Sequence, residues 1–327
     1  MRSPLKRRPA KPGRRSYAGA VGGLLAIGLA LLAAGCAVGS GSPAGAAGAS
    51  PTLTATVPAA PLRPRPGAPI EVRPRNAVAA WTQVASVGGV PAIWIARHGG
   101  VTLLRLNQNA VHLALHAGSA EPGVGGWKHG DRIEGSEVHR VLAAFNSGFK
   151  LGYGHVGYML GGRVAVPLGY GLGSVVTYRD GQTQIGPWKQ GVPEKGRPIA
   201  SVRQNLYLLV DHAKPASTVR RCVIACWGKT IYDLTRATRS GLGINAAGEL
   251  IWAAGQKLNP AHLAEALIGA GAVRAVELDI NGGWVAGYLY VHHPPGPRAV
   301  AVVPGQSGIP GKYLVPYIRD FFTVLAN

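Results

Sequence analysis

Arg274-Ala275-Val276-Glu277-Leu278-Asp279-Ile280-Asn281-Gly282-Gly283-Trp284 is the stretch from which the fold is read. Val276, Leu278 and Ile280 alternate with Glu277 and Asp279, a period of two that belongs to a strand. The alternation predicts that the aliphatic side chains enter a core and that both carboxylates leave from the opposite face, their Cα atoms about 6.5 Å apart. Asn281-Gly282-Gly283 then predicts a turn at which backbone can approach a ligand closely. Two acids at the end of a strand beside such a turn read in either of two ways. They form a reactive cleft in which one carboxylate raises the pKa of the other, or they are a solvated face paired to nearby arginines.

Upstream, Leu242-Gly243-Ile244-Asn245 and Glu249-Leu250-Ile251-Trp252-Ala253 flank the turn Ala246-Ala247-Gly248 and read as a hairpin. Asn259, Pro260 and Gly269 mark the cap, first residue and end of a helix, with Leu263, Ala266 and Leu267 on one face. Further strands are predicted at 92–96, 101–106, 111–116, 141–145, 163–166, 175–178 and 206–210. A second helix is predicted over 316–325. Many strands with few helices predict the α+β class, one domain of mixed, mainly antiparallel sheets and a few helices over residues 76–327.

Before this domain the composition changes. Seven Lys and Arg residues lie in the first fifteen positions, an uncharged run follows from Ala18 to Gly35, and Leu32-Ala33-Ala34-Gly35-Cys36 closes it. A basic head, an apolar middle and small residues at the end predict a secretion signal over 1–35. The final pentad resembles a lipoprotein cleavage box, with Cys36 the lipidated thiol. The plainer alternative is an uncleaved membrane anchor; both place the remainder in an extracytoplasmic, membrane-anchored location. Residues 36–75, rich in Pro, Ala and Gly, predict a flexible linker. Cys222 and Cys226, the remaining cysteines, predict a disulfide in an oxidising compartment. No metal site and no cofactor are expected. His112 and His116, four apart on a strand, read as surface or core residues.

The formal net charge is +20, and setting aside the seven cations of the head leaves +13, spread along the chain. No basic helix or nucleic-acid motif accompanies it, so no nucleic-acid partner is expected. The excess suits either solubility near an anionic membrane or wall, or attraction of a phosphate-bearing polymer. The glycine-rich stretch 152–173 lacks the strand-to-helix G-x-G-x-x-G setting of a nucleotide site.

Three motifs occur in a fixed order: Asn146-Ser147-Gly148-Phe149 at a strand end, Arg239-Ser240-Gly241-Leu242-Gly243 before the hairpin, and Glu277-Leu278-Asp279-Ile280-Asn281-Gly282-Gly283 after the helix. Together, over about Val141 to Trp284, they resemble the phosphodiester glycosidase family, of the N-acetylglucosamine-1-phosphodiester alpha-N-acetylglucosaminidase type. The chain would be a divergent lipoprotein member. Glu277 stands where the family has asparagine, Ser147 replaces a glycine, and the glycines after Asp279 are displaced.

The resemblance implies a cleft with Asn146, Arg239, Glu277 and Asp279 as catalytic candidates and Gly148, Asn281, Gly282 and Trp284 as substrate-binding ones. Arg239 would offer a planar fork to phosphodiester oxygens, and Asp279 would act as acid/base or nucleophile at the anomeric carbon. The implied partner is a cell-envelope glycan or sugar-phosphate polymer, and the implied activity is an envelope-anchored hydrolase. The alternative is a non-catalytic glycan-binding or scaffold lipoprotein of the same fold.

Overall fold

The computed structural model describes residues 80–230 and 232–327. The expected signal, the linker and Cys36 lie outside the described residues. Along the chain run β1 (Thr82–Val87), β2 (Val90–His98), β3 (Val101–Leu106), β4 (Val111–His116), β5 (Val141–Asn146), β6 (Val156–Leu160), β7 (Arg163–Val166), β8 (Gly173–Tyr178) and β9 (Thr183–Pro187). Then follow β10 (Ile199–Asn205), β11 (Leu208–Asp211), β12 (Lys214–Pro215), α1 (Val223–Trp227), β13 (Ala237–Asn245) and β14 (Leu250–Leu258). The chain ends with α2 (Pro260–Gly269), β15 (Ala272–Ile280), β16 (Gly287–His293), β17 (Gly296–Ala301) and β18 (Phe321–Ala326).

The strands form three sheets. The largest has eight strands in the order β1-β2-β3-β14-β13-β15-β11-β12, and the other two have five each, β7-β6-β10-β8-β9 and β17-β16-β5-β18-β4. Every ladder is antiparallel. The expected α+β class with mixed sheets is therefore corrected: this is a mainly β protein, with α1 and α2 the only α-helices among the described residues. Among those residues no helix is long and apolar enough to cross a membrane.

The predicted C-terminal helix accounts for much of the difference. Phe321-Phe322-Thr323-Val324-Leu325-Ala326 is a strand, paired with β4 on one side and β5 on the other. All six residues are buried. A strand covered on both faces shows a continuous apolar run, and such a run carries no period by which to tell strand from helix. Its aromatic and β-branched residues, together with two available strand partners, decide for the sheet.

One face of the eight-stranded sheet packs on the other two sheets through Ile93, Leu104, Leu242, Trp252, Val276 and Leu278, which meet Phe145, Val175 and Phe322. The opposite face is covered by α2, whose Leu263 and Leu267 pack with Ile251, Ala253 and Ala275. This helix starts where the sequence places it: Asn259 accepts a hydrogen bond from the His262 N–H at 2.9 Å, and Pro260 opens the first turn. Leu263→Ala would leave a cavity between α2 and that sheet face. It is expected to lower unfolding free energy by about 2–5 kcal/mol in urea titrations.

Candidate active site

The site is set by how β15 runs against β13. Gly241 lies opposite Glu277, but Arg239 lies opposite Ile280, so three steps on β15 answer two on β13. This is a bulge, one extra residue that breaks the alternation of faces. Val276 and Leu278 enter the core between the sheets, as the sequence predicts. Ile280 instead joins Phe149, Trp227 and Leu258 in the cluster beneath α2. The two carboxylates, expected side by side, find different partners.

Glu277 is sealed in. Its Oε1 lies 2.6 Å from Arg239 Nη1, and both side chains are 0 % exposed. Arg239 also donates from Nε to the Leu258 carbonyl and from Nη1 to the Trp227 carbonyl. Burial pushes the Glu277 carboxyl above its ordinary range, while the Arg239 charge opposes the shift. Arg239 Nη2 and Glu277 Oε2 have no hydrogen-bond partner among the described residues. This pair ties β13 to β15 and has no exposed edge to offer a substrate, so the roles given to Arg239 and Glu277 do not fit their placement.

Asp279 lies at the margin of the core, 5 % exposed. Its Oδ2 lies 2.9 Å from Arg319 Nη1, and its Oδ1 accepts from the Ile280 N–H at 2.7 Å. Burial lifts its carboxyl from 3.8 to about 7, against the pull of Arg319. Arg319 donates to the Gly148 carbonyl at 2.8 Å and lies 3.4 Å from Glu121. Its guanidinium carbon sits 4.9 Å from the centre of the Trp284 ring. The Arg319 backbone is held against Gly118, where a Cβ would stand 2.4 Å from the Arg319 carbonyl carbon. Lys312 completes the group: burial lowers its pKa to about 8, the Asp279 charge working the other way. Its ammonium rests over the rings of Tyr313 and Tyr317. Beside them, Arg203 and Asp320 form a second sealed pair at 2.6 Å.

The remaining predicted residues act mainly as frame. Asn146 donates to Ser240 Oγ at 2.9 Å and to the Ser147 carbonyl, and its Oδ1 accepts from the Ala286 N–H. Ser240 Oγ in turn donates to the Asp279 carbonyl at 3.1 Å, so Asn146 reaches Asp279 through Ser240. A Cβ at Gly148 would stand 3.0 Å from Asn205 Oδ1 and 3.1 Å from Arg203 Cζ, which gives this glycine a packing reason. Asn281 turns the chain after β15 at φ +80°, a conformation asparagine tolerates. Exposed Gly282 accepts from Ser307 Oγ, and half-buried Trp284 borders Arg319. Cys222 and Cys226 form the expected disulfide.

Sequence reasoning missed Arg319 and Lys312. The available signal was the pair Arg319-Asp320 directly before an apolar run, which a helical reading places on a solvated face. Chemically, the group joins a carboxyl that exchanges its proton near neutral pH, two cations suited to an anion, and an indole that can lie against a sugar face. A groove of about 980 Å³ lies elsewhere, between β4 and the β8–β9 turn. Volume favours that groove, whereas the buried, titrating carboxyl favours Asp279.

The chain matches no family model and no curated protein. Among solved structures it is similar to the catalytic domain of zebrafish N-acetylglucosamine-1-phosphodiester alpha-N-acetylglucosaminidase, auto-inhibited by its pro-peptide. There the TM-score is 0.45 and the identity 16 %, over 72 % of this chain and 78 % of that one. A hypothetical protein from Synechocystis gives a TM-score of 0.38 at 12 % identity, over 74 % and 63 % of the two chains. A protein from Burkholderia pseudomallei gives 0.33 at 12 %, over 73 % and 75 %.

Arg239→Met, which leaves Glu277 buried without its countercharge, is expected to cost about 3–5 kcal/mol of stability. The double variant Arg239→Met/Glu277→Leu should recover most of that loss in chemical denaturation. Asp279 has a pH signature as well. Between about pH 4 and 7 the folded protein keeps a proton that the unfolded chain has released. Stability therefore falls as pH rises through that window and levels off above it. In Asp279→Asn the unfolding free energy, measured in urea across that range, should fall less steeply with pH than in the wild type. Glu277 contributes in the same direction in both proteins.

Proposed function

We propose that this chain is a hydrolase of glycans in the cell envelope, acting on a sugar phosphodiester, exported and held at the membrane by a lipid on Cys36. The observation that carries the reading is the Asp279 carboxyl, nearly buried and poised at about 7, paired with Arg319, which lies against Trp284, and close enough to Lys312 for its charge to be felt there. A sugar-1-phosphodiester brings an anion and a pyranose face together, and the two cations and the indole offer a counterpart for each. Asp279 gives its proton to the leaving oxygen as the anomeric C–O bond breaks, then takes one from the attacking water. With Asp279 protonated, Arg319 keeps the Gly148 carbonyl and Glu121 but can turn its Nη1 edge to a phosphodiester oxygen, the role that Arg239 cannot fill from the core. The ordered motifs resembling the phosphodiester glycosidases favour the same substrate class.

A second reading, a glycan-binding lipoprotein without turnover, is favoured by the burial of Glu277 against Arg239, which leaves Asp279 without that carboxylate as a catalytic partner. Turnover of a sugar-1-phosphate diester reporter separates the two. Asp279→Asn is expected to lower kcat by roughly 10²–10⁴-fold. Lys312→Met should act mainly on KM, and kcat/KM should show a limb near pH 7 that Asp279→Asn lacks. Heat release on adding wall fragments, with no cleavage of the reporter, would support binding alone. Recovery of the wild type in membranes and of Cys36→Ala in the soluble fraction tests the anchor.

A further inference from the structure

The loop between β4 and β5 gathers a second set of reactive side chains that shares no residue with the Asp279 site. His116 lies on β4, His129 follows in the loop, and Glu137 lies on the 3₁₀ turn Gly135–His139. One ligating atom from each lies within 4.8 Å of the others. Glu137 Oε1 is 2.6 Å from His129 Nδ1, and Glu137 Oε2 is 3.2 Å from His116 Nε2.

The orientation of His116 is the telling feature. Its ring is wholly buried and stacks on Phe321 at 4.4 Å. Nδ1 lies 3.0 Å from the Gly130 carbonyl, which can only accept, so Nδ1 carries the hydrogen. In the neutral ring Nε2 then presents a lone pair, with Thr323 Oγ1 and Glu137 Oε2 each 3.2 Å away. A ring lone pair set beside a carboxylate oxygen is a natural place for a positive species. A histidine that hands its other N–H to a backbone carbonyl is also the usual arrangement around a bound metal, because it fixes the tautomer and the plane of the ring. Thr323 Oγ1, 3.2 Å from Nε2, has the Ala114 carbonyl at 3.5 Å as its alternative acceptor.

Zinc bound to nitrogen or oxygen at about 2.0–2.2 Å places neighbouring ligand atoms roughly 3.3 Å apart in a tetrahedron. The His116–Glu137 separation is of this size, His129 faces the other carboxylate oxygen, and the three ligand atoms, within 4.8 Å of one another, would draw together around one ion. His129 and Glu137 also line the groove of about 980 Å³, together with the cationic Lys128, Arg140 and Arg179. We propose that His116 Nε2, His129 Nδ1 and the Glu137 carboxylate bind a divalent cation of the zinc class on the wall of this groove. Its remaining position faces the groove and takes water or an anionic oxygen ligand.

Cobalt(II) is the probe, added to tag-free, full-length protein first stripped with a chelator. The wild type should develop the visible bands of four-coordinate cobalt, and zinc should abolish them. His129→Ala and Glu137→Gln change half-buried groups, and each should weaken cobalt binding by on the order of 100-fold or more. Zinc should raise Tm in the wild type and in Asp279→Asn but not in these two variants. Absence of both the bands and the Tm shift in the wild type would overturn the proposal and leave a protonated histidine as the positive species. Equal cobalt affinity in wild type, His129→Ala and Glu137→Gln would overturn it too.

Discussion

Between Gly241 and Arg239 the strand β13 advances two residues while β15 advances three, and this mismatch sorts the charges of the protein. In a regular ladder Glu277 and Asp279 would share a face. The extra residue sends Glu277 to Arg239 and Asp279 to Arg319, two cations from distant parts of the chain. It also rotates Ile280 towards α2, so the apolar packing beneath the helix and the position of Asp279 depend on the same local distortion. A bulge at a strand end is a common means of re-aiming a side chain next to a site.

The two resulting ion pairs have different physical characters. Both carry the desolvation cost of buried charge. In the Arg239–Glu277 pair, the guanidinium is further held by two backbone carbonyls, and neither side chain has an exposed edge. The pair fixes register, and removing one member strands the other. Asp279 lies at the edge instead, where burial raises its pKa to about 7 while Arg319, and more weakly Arg203, limit the rise. A group balanced in this way changes charge within the physiological range, which makes it suited to chemistry rather than to support.

The frame around Asp279 consists of polar groups whose bonding capacity is largely taken up by backbone. Asn146 links the end of β5 to β13 through Ser240 and to the residue before β16 through the Ala286 N–H. Asn205 donates to the carbonyls of Glu277 and Leu278 and accepts from the Phe149 N–H. These amides hold the ends of three sheets in place, and Gly118 and Gly148 permit the close approaches that bring Arg319 to Asp279.

Local chemistry made much of this legible in the sequence. The β13–β14 hairpin follows from its turn residues, α2 from its cap, proline and apolar face, and the Cys222–Cys226 bridge from cysteine spacing. Asp279 stood out because an acid in an alternating strand before a glycine turn is conspicuous whatever surrounds it. The strand identity of 321–326, the separation of Glu277 from Asp279, and the recruitment of Arg319 and Lys312 were decided only in three dimensions. An apolar run buried on both faces has no period to read, and a bulge is a property of two paired strands. A cation forty residues downstream reaches a carboxylate only when a third sheet carries it there. The sequence by itself determined which short segments form and which residues can bear charge. The tertiary structure decided which charges meet, because pairing and burial depend on neighbours that no local pattern encodes.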